Sequence, residues 1–374
     1  MKVLHVIDKL SMDRTNPSSC AILLAQWSKH LVDGRDFDLS VCTLRGDDPG
    51  GHYLEQKGIR VHYLRFGKFS PRNIGGILRL IRQEKPQILH LHGYSAANFG
   101  RLAARRAGII NVVHEHSALK LLPHQYMVDL LLRSLTDCAV AVSANVRDFM
   151  IRVRNIPDER IRLVPNGVDL AEFGPGAVAD IIAKKQELGL SGHLRIVGTV
   201  TRLRTEKGTE FLIRAVPHLL KQCPDVVFLI VGDGPLKSSL EQLATDLGVR
   251  DSIRFIGFRS DIRELLQVFD VNVIPSLTEG FPLCFIEAMA AGNPIVASAV
   301  GAIRDIADDG HTALLVPPTD SVQLAQKICY VIKTPEVARR LSLAARQASR
   351  KFDAGVSAGV LRDLYTELAG RAHA

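Results

Sequence analysis

The feature that most constrains the fold is a regular alternation of β-rich apolar runs with amphipathic stretches. Apolar residues in the amphipathic stretches recur at steps of three and four, the spacing of a helix with one buried face. Such alternation favours parallel sheets covered by helices on both faces. The predicted strands are Val3–Ile7, Leu39–Thr43, Ile88–His92, Asn111–His114, Cys138–Val142, Arg195–Val200, Val226–Val231, Ile253–Ile256, Val271–Pro275 and Pro294–Ala297. The predicted helices include Cys20–Leu31, Ile74–Gln83, Gly208–Gln222 and Leu236–Leu247.

Length and composition predict a two-domain protein without a membrane span. The 374 residues exceed one typical core, and the stretch from Pro165 to Gly176 is rich in turn formers. No apolar run approaches the ~20 residues that a bilayer span needs, and the run Val3–Ile7 is too short for a signal-peptide core. The six cysteines are scattered without CxxC pairs, which predicts reduced thiols in a cytoplasmic protein rather than a zinc site or disulfides.

The net charge of +8 belongs to the first part of the chain. Residues 1–170 hold 24 Lys and Arg against 16 Asp and Glu, whereas residues 171–374 hold 23 of each. In the segment from Arg65 to Arg72, cations are interleaved with two phenylalanines. Such a segment suits an anionic membrane surface or an anionic substrate, and a solvated basic face is the open alternative. Nucleic acid is not expected, because no binding motif accompanies the charge.

The run from Glu279 to Glu287 carries the strongest functional signal. It follows the predicted strand Val271–Pro275 and leads into Phe285–Ala291, which has helix-forming composition and is closed by Gly292. A helix that starts there presents backbone N–H groups and the positive end of its dipole, which suit a phosphate. Carboxylates accept hydrogen bonds from hydroxyls, so the run predicts a site for a nucleotide sugar. An ordinary β-α turn with two solvated glutamates is the alternative at this point.

A basic loop follows the predicted strand Arg195–Val200. It places Arg202 and Lys207 five residues apart before a predicted helix. A planar guanidinium and a compact ammonium together suit a diphosphate, and they would stabilise the charge that develops when a nucleoside diphosphate leaves. A basic surface loop without ligand is the alternative.

A dinucleotide-binding fold is disfavoured. The nearest match to GxGxxG runs from Gly232 to Lys237 and has Pro235 at its fourth place. The first predicted strand is followed by Asp8 to Ser11 without a glycine. Because a dinucleotide site needs glycines directly after a strand, we do not expect a dehydrogenase.

Four motifs follow one another in a fixed order. They are Arg202-Leu203 with Lys207-Gly208, then Val231-Gly232-Asp233-Gly234-Pro235, then Phe255-Ile256-Gly257-Phe258, then Glu279–Glu287. This set resembles the retaining glycosyltransferases of family four, and the resemblance covers nearly the whole chain. It implies an α/β GT-B fold of two Rossmann-like, doubly wound domains that face each other across a cleft. We expect the acceptor-side domain at 1–168, the donor-binding domain at 169–351, and a C-terminal helix at about 352–374 that packs back on the first domain.

The resemblance implies a role for each matching donor-side residue. Arg202 and Lys207 would grip the donor diphosphate, and Glu287 would hold the ribose hydroxyls. Glu279 would lie beside the transferred sugar. The remaining donor-binding candidates are the turn glycine, the backbone near the base, and the segment whose amides meet sugar and phosphate: Gly232, Phe258, Arg259, Gly280, Phe281, Pro282, Leu283 and Cys284.

In the first half, the resemblance implies a histidine near the donor sugar. We assign that role to His116, with His114 as the second, acceptor-side candidate. An imidazole can hydrogen-bond a sugar hydroxyl or take a proton near neutral pH. The His114-Glu115-His116 spacing is not HExxH, so no metal is expected. His90 and His92 share one face of a strand and are interpreted as scaffold.

One loop departs from the family pattern. Residues 8–20 lack the glycines that usually follow the first strand. The acceptor-side candidates in this loop are Arg14, Asn16, Ser18 and Ser19, of which the last three are also expected to cap the following helix. The identity of the acceptor therefore does not transfer from the family.

These observations predict a metal-independent, retaining glycosyltransferase with His116, Glu279, Arg202 and Lys207 as catalytic residues. Its donor would be a nucleoside-diphosphate sugar, with UDP ranked ahead of GDP, and no cofactor is expected. The acceptor would be a glycan, a glycolipid or a lipid-linked hydroxyl in cell-surface polysaccharide or lipopolysaccharide assembly. We expect a cytoplasmic protein, peripheral at the inner face of the membrane. A catalytically idle nucleotide-sugar or glycan-binding protein is the main alternative, followed by a GT-B phosphorylase or epimerase.

Overall fold

The chain folds into two compact units. The structure is a computed structural model, and it describes residues 1–11, 16–31, 37–118, 121–174, 176, 178–190 and 194–371. Met1–Val168 and Phe352–Ala374 form the N-terminal unit, and Asp169–Lys351 forms the C-terminal unit.

The described strands of the N-terminal unit form one parallel, seven-stranded sheet in the order β3-β2-β1-β4-β5-β6-β7. Strand order reverses where β1 lies beside β4, and open α/β sheets bind ligands beyond the carboxyl ends of strands at such a point. The strands are β1 (Lys2–Ile7), β2 (Asp38–Thr43), β3 (Arg60–Tyr63), β4 (Ile88–His92), β5 (Ile110–Glu115), β6 (Cys138–Ala141) and β7 (Ile161–Leu163).

Helices cover both faces of this sheet. The C-terminal helix packs beside the first helix, where the Trp27 indole N–H donates to Ser357 Oγ at 3.0 Å. Ala358, Leu361 and Tyr365 join the core on that side of the sheet. The helices are α1 (Ser19–Leu31), α2 (Pro49–Gln56), α3 (Arg72–Glu84), α4 (Tyr94–Ala107), α5 (Pro123–Leu132), α6 (Ala144–Arg152) and, after the second unit, α15 (Ala354–Arg371).

The C-terminal unit repeats this architecture with a parallel, six-stranded sheet of described strands in the order β10-β9-β8-β11-β12-β13. Its strand order reverses between β8 and β11. The strands are β8 (Arg195–Val200), β9 (Val226–Val231), β10 (Ile253–Gly257), β11 (Val271–Ile274), β12 (Ile295–Ser298) and β13 (Leu314–Val316). The helices are α7 (Val178–Glu187), α8 (Thr209–Leu220), α9 (Lys237–Asp246), α10 (Ile262–Val268), α11 (Leu283–Ala291), α12 (Ile303–Ile306), α13 (Ser321–Lys333) and α14 (Pro335–Ser349).

The predicted fold class of two Rossmann-like α/β domains is confirmed, and each of the ten predicted strands is present. The strands β3, β7 and β13 were not predicted. Each has only three or four residues, and β3 is half-exposed along its length, so none gives the apolar run by which a strand is recognised. Within the described residues, no helix has both the length and the hydropathy that a membrane crossing requires.

Candidate functional site

The loop between β8 and α8 places Lys207 by means of a required glycine. Lys207 ends a short 3-10 turn, and Gly208 follows it with a φ of +61°. A Cβ atom on Gly208 would lie 2.1 Å from the Pro275 carbonyl oxygen. Only glycine fits both the left-handed backbone and this close approach, so the loop is held against the segment that follows β11.

Lys207 forms a partly buried ion pair with Glu279. The Lys207 ammonium donates to Glu279 Oε1 at 2.7 Å, and the Ser276 hydroxyl donates to the same oxygen at 2.6 Å. Glu279 is only 6% exposed. Among the described residues no hydrogen bond reaches its second oxygen, Oε2, which can therefore accept from a ligand hydroxyl.

The backbone of Glu279 is also fixed by a second loop. A Cβ atom on Gly301 would lie 1.9 Å from the Glu279 carbonyl oxygen, and the Ala302 N–H donates to that oxygen at 3.1 Å. The carboxylate is thus oriented by its side-chain partners and by the loop after β12.

Helix α11 starts four residues after Glu279 and carries Glu287 at its fifth position. Its first turn contains no acidic residue, and the N-cap residue, Pro282, offers no side-chain acceptor, so its own side chains do not neutralise the positive helix end. Glu287 is partly buried, and burial together with the nearby carboxylate of Glu172 raises its pKa to about 7.

The surroundings of Cys284, the second residue of α11, show that charged groups lie around the first turn of this helix. Burial raises the pKa of its thiol to about 12; the negative charges of Glu279 and Glu287 add to the rise, and Lys207 opposes it. Phe285 and Ile286 in the same turn are fully buried and fix it to the core of the unit. One ammonium and two carboxylates therefore lie around a helix N-terminus, an arrangement that suits an anion and a polyol in one ligand.

The other donor-side candidates lie on neighbouring loops. Arg202 is exposed two residues after the end of β8, and Phe258 is 52% exposed directly after β10. The Arg259 guanidinium donates to Glu187 and Asp261 through Nε and Nη2, which ties this side chain to two carboxylates. A Cβ atom on Gly232 would lie 1.8 Å from the Thr201 carbonyl oxygen, so this glycine lets the loop after β9 approach the loop after β8 closely.

In the N-terminal unit, five histidines stack on one face of the sheet. They come from β1, from β4 and from β5 with the residue after it: His5, His90, His92, His114 and His116. Two hydrogen-bonded rows run through the stack. One joins His5 Nδ1 to His92 Nε2 and His92 Nδ1 to His116 Nε2, each at 2.9 Å. The other joins the Tyr365 hydroxyl to His90 Nδ1 at 2.5 Å and His90 Nε2 to His114 Nδ1 at 3.0 Å.

His116 is the partly exposed end of the first row. Burial lowers its pKa to about 4 and that of His5 to about 3. Burial lowers the pKa of His92 well below its usual range, with neighbouring histidines adding to the effect. The stack is therefore uncharged at neutral pH.

His114 requires a correction. We expected it on the acceptor side, but its side chain is 1% exposed and is bonded to His90. An acceptor has no surface of this side chain to contact, so His114 belongs to the scaffold together with His90.

Two groups of side chains in the stack have the composition of a metal site. They are His5 with His90 and His92, and Cys20 with His92 and His116; in each, three potential ligand atoms lie within 4.8 Å of one another. The distances of 2.9 Å between ring nitrogens are those of hydrogen bonds, and each such bond uses a lone pair that an ion would need. Burial also keeps the Cys20 thiol protonated by raising its pKa to about 12. Hydrogen bonding therefore accounts for this arrangement without an ion.

The loop after β1 is organised around two helix starts. Ser18 Oγ accepts from the Ala21 N–H at 3.2 Å, which confirms the predicted cap of α1. Asp8 accepts from the Ala96 N–H at the start of α4 at 2.6 Å and pairs with Lys68 at 3.2 Å. Asn16 is partly buried and Ser19 is exposed, whereas Arg14 lies outside the described residues.

Three contributors to these sites were missed in the sequence. Ser276 lies only three residues before Glu279, so its proximity was available as a signal. Gly301 gives no signal, because its contact with Glu279 depends on how two loops meet. His92 was placed on the correct face with His90, but its bond to His116 requires β4 and β5 to be neighbours.

Two doubly wound units, one with a cation–carboxylate pair at a helix start, define a GT-B glycosyltransferase. The model of glycosyl transferases group 1 matches residues 180–348, and that of glycosyltransferase family 4 matches residues 21–172. The chain belongs to the group 1 glycosyl transferases of family 4, enzymes that transfer a sugar from a nucleotide sugar.

Named relatives agree with this family. The chain is 30% identical over 317 residues to a D-inositol 3-phosphate glycosyltransferase of Corynebacterium efficiens, covering 78% of this chain and 74% of the relative. It is 29% identical over 260 residues to the Escherichia coli UDP-Gal:alpha-D-GlcNAc-diphosphoundecaprenol alpha-1,3-galactosyltransferase, with 67% of each chain covered. The crystal structure of Anabaena HepE in complex with UDP has the same fold, with a TM-score of 0.86, 23% identity, and coverage of 98% of this chain and 100% of that one.

Proposed function

We propose that the protein is a retaining, metal-independent glycosyltransferase that transfers a sugar from a UDP-sugar to a hydroxyl acceptor. The observation that carries this proposal is the Lys207–Glu279 pair beside the first turn of α11. A cation, an oriented carboxylate and a positive helix end offer separate partners for the phosphate and the sugar of one donor.

Each residue has a distinct role in the proposed reaction. Lys207 and Arg202 bind the diphosphate and stabilise the charge that it acquires on leaving. Glu279, held through Oε1 by Lys207 and Ser276, accepts from a hydroxyl of the transferred sugar through Oε2. Glu287 accepts from the ribose hydroxyls, and His116 is our candidate for a hydrogen bond with a hydroxyl of the sugar.

The bonds change within one ternary complex. The acceptor oxygen attacks the anomeric carbon from the face that the diphosphate leaves, so the anomeric configuration is retained. The bond between that carbon and the phosphate oxygen breaks as the new glycosidic bond forms. The acceptor proton passes to the leaving phosphate, and the products are the glycosylated acceptor and UDP. Lys207 and Arg202 supply the charge stabilisation that a metal ion provides elsewhere, so no metal takes part.

Relatives support a uridine donor and a lipid-linked acceptor. HepE was crystallised with UDP and with UDP-glucose, and the Escherichia coli relative is named for UDP-Gal and a diphosphoundecaprenol acceptor. In this chain, an apolar cavity of about 550 Å³ is lined by residues of α5 and α6 and the loop before α5, including Tyr126, Met127 and Phe149. Met127 and Leu131 are 54% and 71% exposed. Such a surface suits the acyl or isoprenoid part of an acceptor.

The basic segment supports a position at a membrane surface. Phe66 and Phe69 are 38% and 70% exposed, among the cations Arg65, Lys68 and Arg72. Exposed aromatics beside cations favour anionic lipid head groups. We place the enzyme at the inner face of the membrane, in polysaccharide, lipopolysaccharide or glycolipid assembly.

The test is donor turnover by the purified full-length protein. UDP-, GDP- and ADP-sugars are first ranked by the shift that they cause in thermal unfolding, and UDP-sugars should give the largest. The preferred labelled donor is then incubated with a lipid-diphosphate sugar acceptor, with and without EDTA. Release of UDP, EDTA-resistant turnover and a retained anomeric configuration in the product support the proposal. Binding of the donor without hydrolysis or transfer would favour an idle binding protein, and an inverted product would exclude a retaining enzyme.

A further inference from the structure

The hydrogen-bonded row His5–His92–His116 restricts which ring nitrogen of His116 can carry its hydrogen. A neutral imidazole has one N–H group and one bare nitrogen. His92 has a partner at each nitrogen, so it donates to one neighbour and accepts from the other. Both hydrogen bonds in the row therefore run in the same direction, either from His5 towards His116 or from His116 towards His5.

The buried end of the row distinguishes these two directions. His5 is fully buried, and its Nε2 atom has no hydrogen-bond partner among the described residues. If the row ran inward, this nitrogen would carry a buried hydrogen without an acceptor, and orphaned buried N–H groups are rare in proteins. If the row runs outward, Nε2 is a bare nitrogen, and the last hydrogen lies on Nδ1 of His116, at the partly exposed end.

We infer that His92, itself held by His5, is a positioning residue that fixes His116 as the tautomer with its hydrogen on Nδ1. The low pKa values of His5, His92 and His116 agree with three neutral rings.

This tautomer decides between two roles of His116, and the decision rests on the proposed function. Nε2 accepts from His92, and Nδ1 carries the hydrogen, so His116 has no free lone pair. It can donate a hydrogen bond to a hydroxyl of the donor sugar, but it cannot take a proton from the acceptor. The leaving phosphate is then the base.

The second row provides a matched control. In the row Tyr365–His90–His114, either direction leaves one hydrogen without an acceptor among the described residues, on the tyrosine hydroxyl or on His114 Nε2. Its direction is not determined by the same reasoning, and it makes no hydrogen bond to His116. His90 is as buried as His92 and lies two residues away on β4, so His90→Asn tests the cost of disturbing the stack alone.

The direct measurement is two-bond ¹H–¹⁵N correlation on full-length protein labelled with ¹⁵N-histidine. The His116 signals are assigned by their loss in His116→Gln. We expect the hydrogen of His116 on Nδ1 in the unsubstituted protein. A hydrogen on Nε2 overturns the inference. This readout needs no substrate, so it is independent of whether the protein transfers sugar.

Two substitutions at His92 separate positioning from packing. An asparagine amide overlays Nδ1 and keeps a donor towards His116, whereas a glutamine amide overlays Nε2 and removes it. We expect His92→Gln to give a mixture of His116 tautomers and to lower kcat about tenfold, with little change in the KM for donor, because one hydrogen bond to the sugar is weakened. His92→Asn and His90→Asn should keep the Nδ1 tautomer. If His116 had the same tautomer ratio in His92→Gln and His90→Asn, His92 would contribute only to the packing of the stack.

Discussion

The two candidate functional regions of this protein, the Lys207–Glu279 pair and the histidine stack, differ in charge. In the C-terminal unit, a buried carboxylate is paired with an ammonium, and the pair is oriented by a serine. In the N-terminal unit, five stacked imidazoles are kept neutral by burial and by one another. A charged group must be held ready where a diphosphate leaves, whereas a neutral donor suffices where a sugar hydroxyl is only oriented.

The N-terminal unit also holds a buried network of charged side chains. Asp129 is fully buried and bonds Arg101 at 3.1 Å and Arg154 at 2.9 Å. Arg154 also bonds Glu115, the residue before His116, at 2.5 Å. Buried charge is therefore structural in the N-terminal unit and, as we propose, functional in the C-terminal unit. Each of the following predictions can break that distinction.

The largest effect is expected from Lys207→Ala. Removing a cation that stabilises the leaving group should lower kcat about 10³-fold, the loss seen when a preorganised partner of developing charge is removed. Lys207→Arg keeps the charge and should recover part of the rate. Initial rates at saturating donor provide the measurement.

Lys184→Ala is the control for this change. Lys184 also bonds a carboxylate, Asp261, at 2.8 Å in the same unit but makes no contact with Glu279. Its replacement should leave kcat within about twofold, because neither Lys184 nor Asp261 has a role in the proposed reaction. A Lys207→Ala enzyme with a rate within tenfold of the original would mean that the charge in this region is structural too.

The next effect is expected from Arg154→Met, and it concerns stability. The substitution leaves the Asp129 carboxylate buried with one cation instead of two and should lower the free energy of unfolding by about 3 kcal/mol. Arg147→Met, on α6 shortly before Arg154, breaks an exposed pair with Asp158 and should cost less than about 1 kcal/mol. Urea unfolding of both variants gives the comparison. Equal losses would show that the buried network does not stabilise the unit more than a surface pair does.

The two regions also differ in how far they could be predicted from the sequence. Lys207, Glu279 and Glu287 lie in short strand–turn–helix segments, so their spacing already indicates a phosphate and polyol site. Fold class was predictable for the same reason, because helix and strand periods are local. The histidine rows were not, since the link from His92 to His116 depends on the order and register of β1, β4 and β5. Period-two alternation identifies the face of a strand but not its neighbour.

A smaller effect is expected from the pH dependence of donor binding. The pKa of Glu287 is about 7 in the donor-free protein, and ribose hydroxyls donate to its ionised form. Affinity for a UDP-sugar should therefore rise about tenfold between pH 6 and pH 8. A UDP-sugar is the suitable probe, because its diphosphate is a diester that does not titrate in this range.

The free energy of unfolding should change with pH in the opposite direction to the donor affinity. A carboxyl whose pKa is raised by folding contributes stability below its unfolded value of about 4.5, and this contribution is lost as the pH rises through about 7. Glu287→Gln should remove both pH dependences, and Glu172→Gln should shift them to lower pH by removing the neighbouring charge. Titration calorimetry across the pH range tests the affinity. A pH-independent affinity in the unsubstituted protein would show that Glu287 does not bind the ribose as a carboxylate.

The smallest effect is expected at the exposed apolar face of α5. Met127→Asp places a charge beside the apolar cavity and should weaken binding to vesicles that contain anionic lipid severalfold, because one partly buried methionine contributes about 1 kcal/mol to such a surface. Leu343→Asp is the matched control, since Leu343 is 60% exposed on α14 of the C-terminal unit. Vesicle sedimentation should separate the two variants, and kcat with a water-soluble acceptor should be unchanged in both. If the two variants lose vesicle binding equally, the membrane contact belongs to no particular unit, and the basic N-terminal unit loses its proposed role as the membrane-facing side of the enzyme.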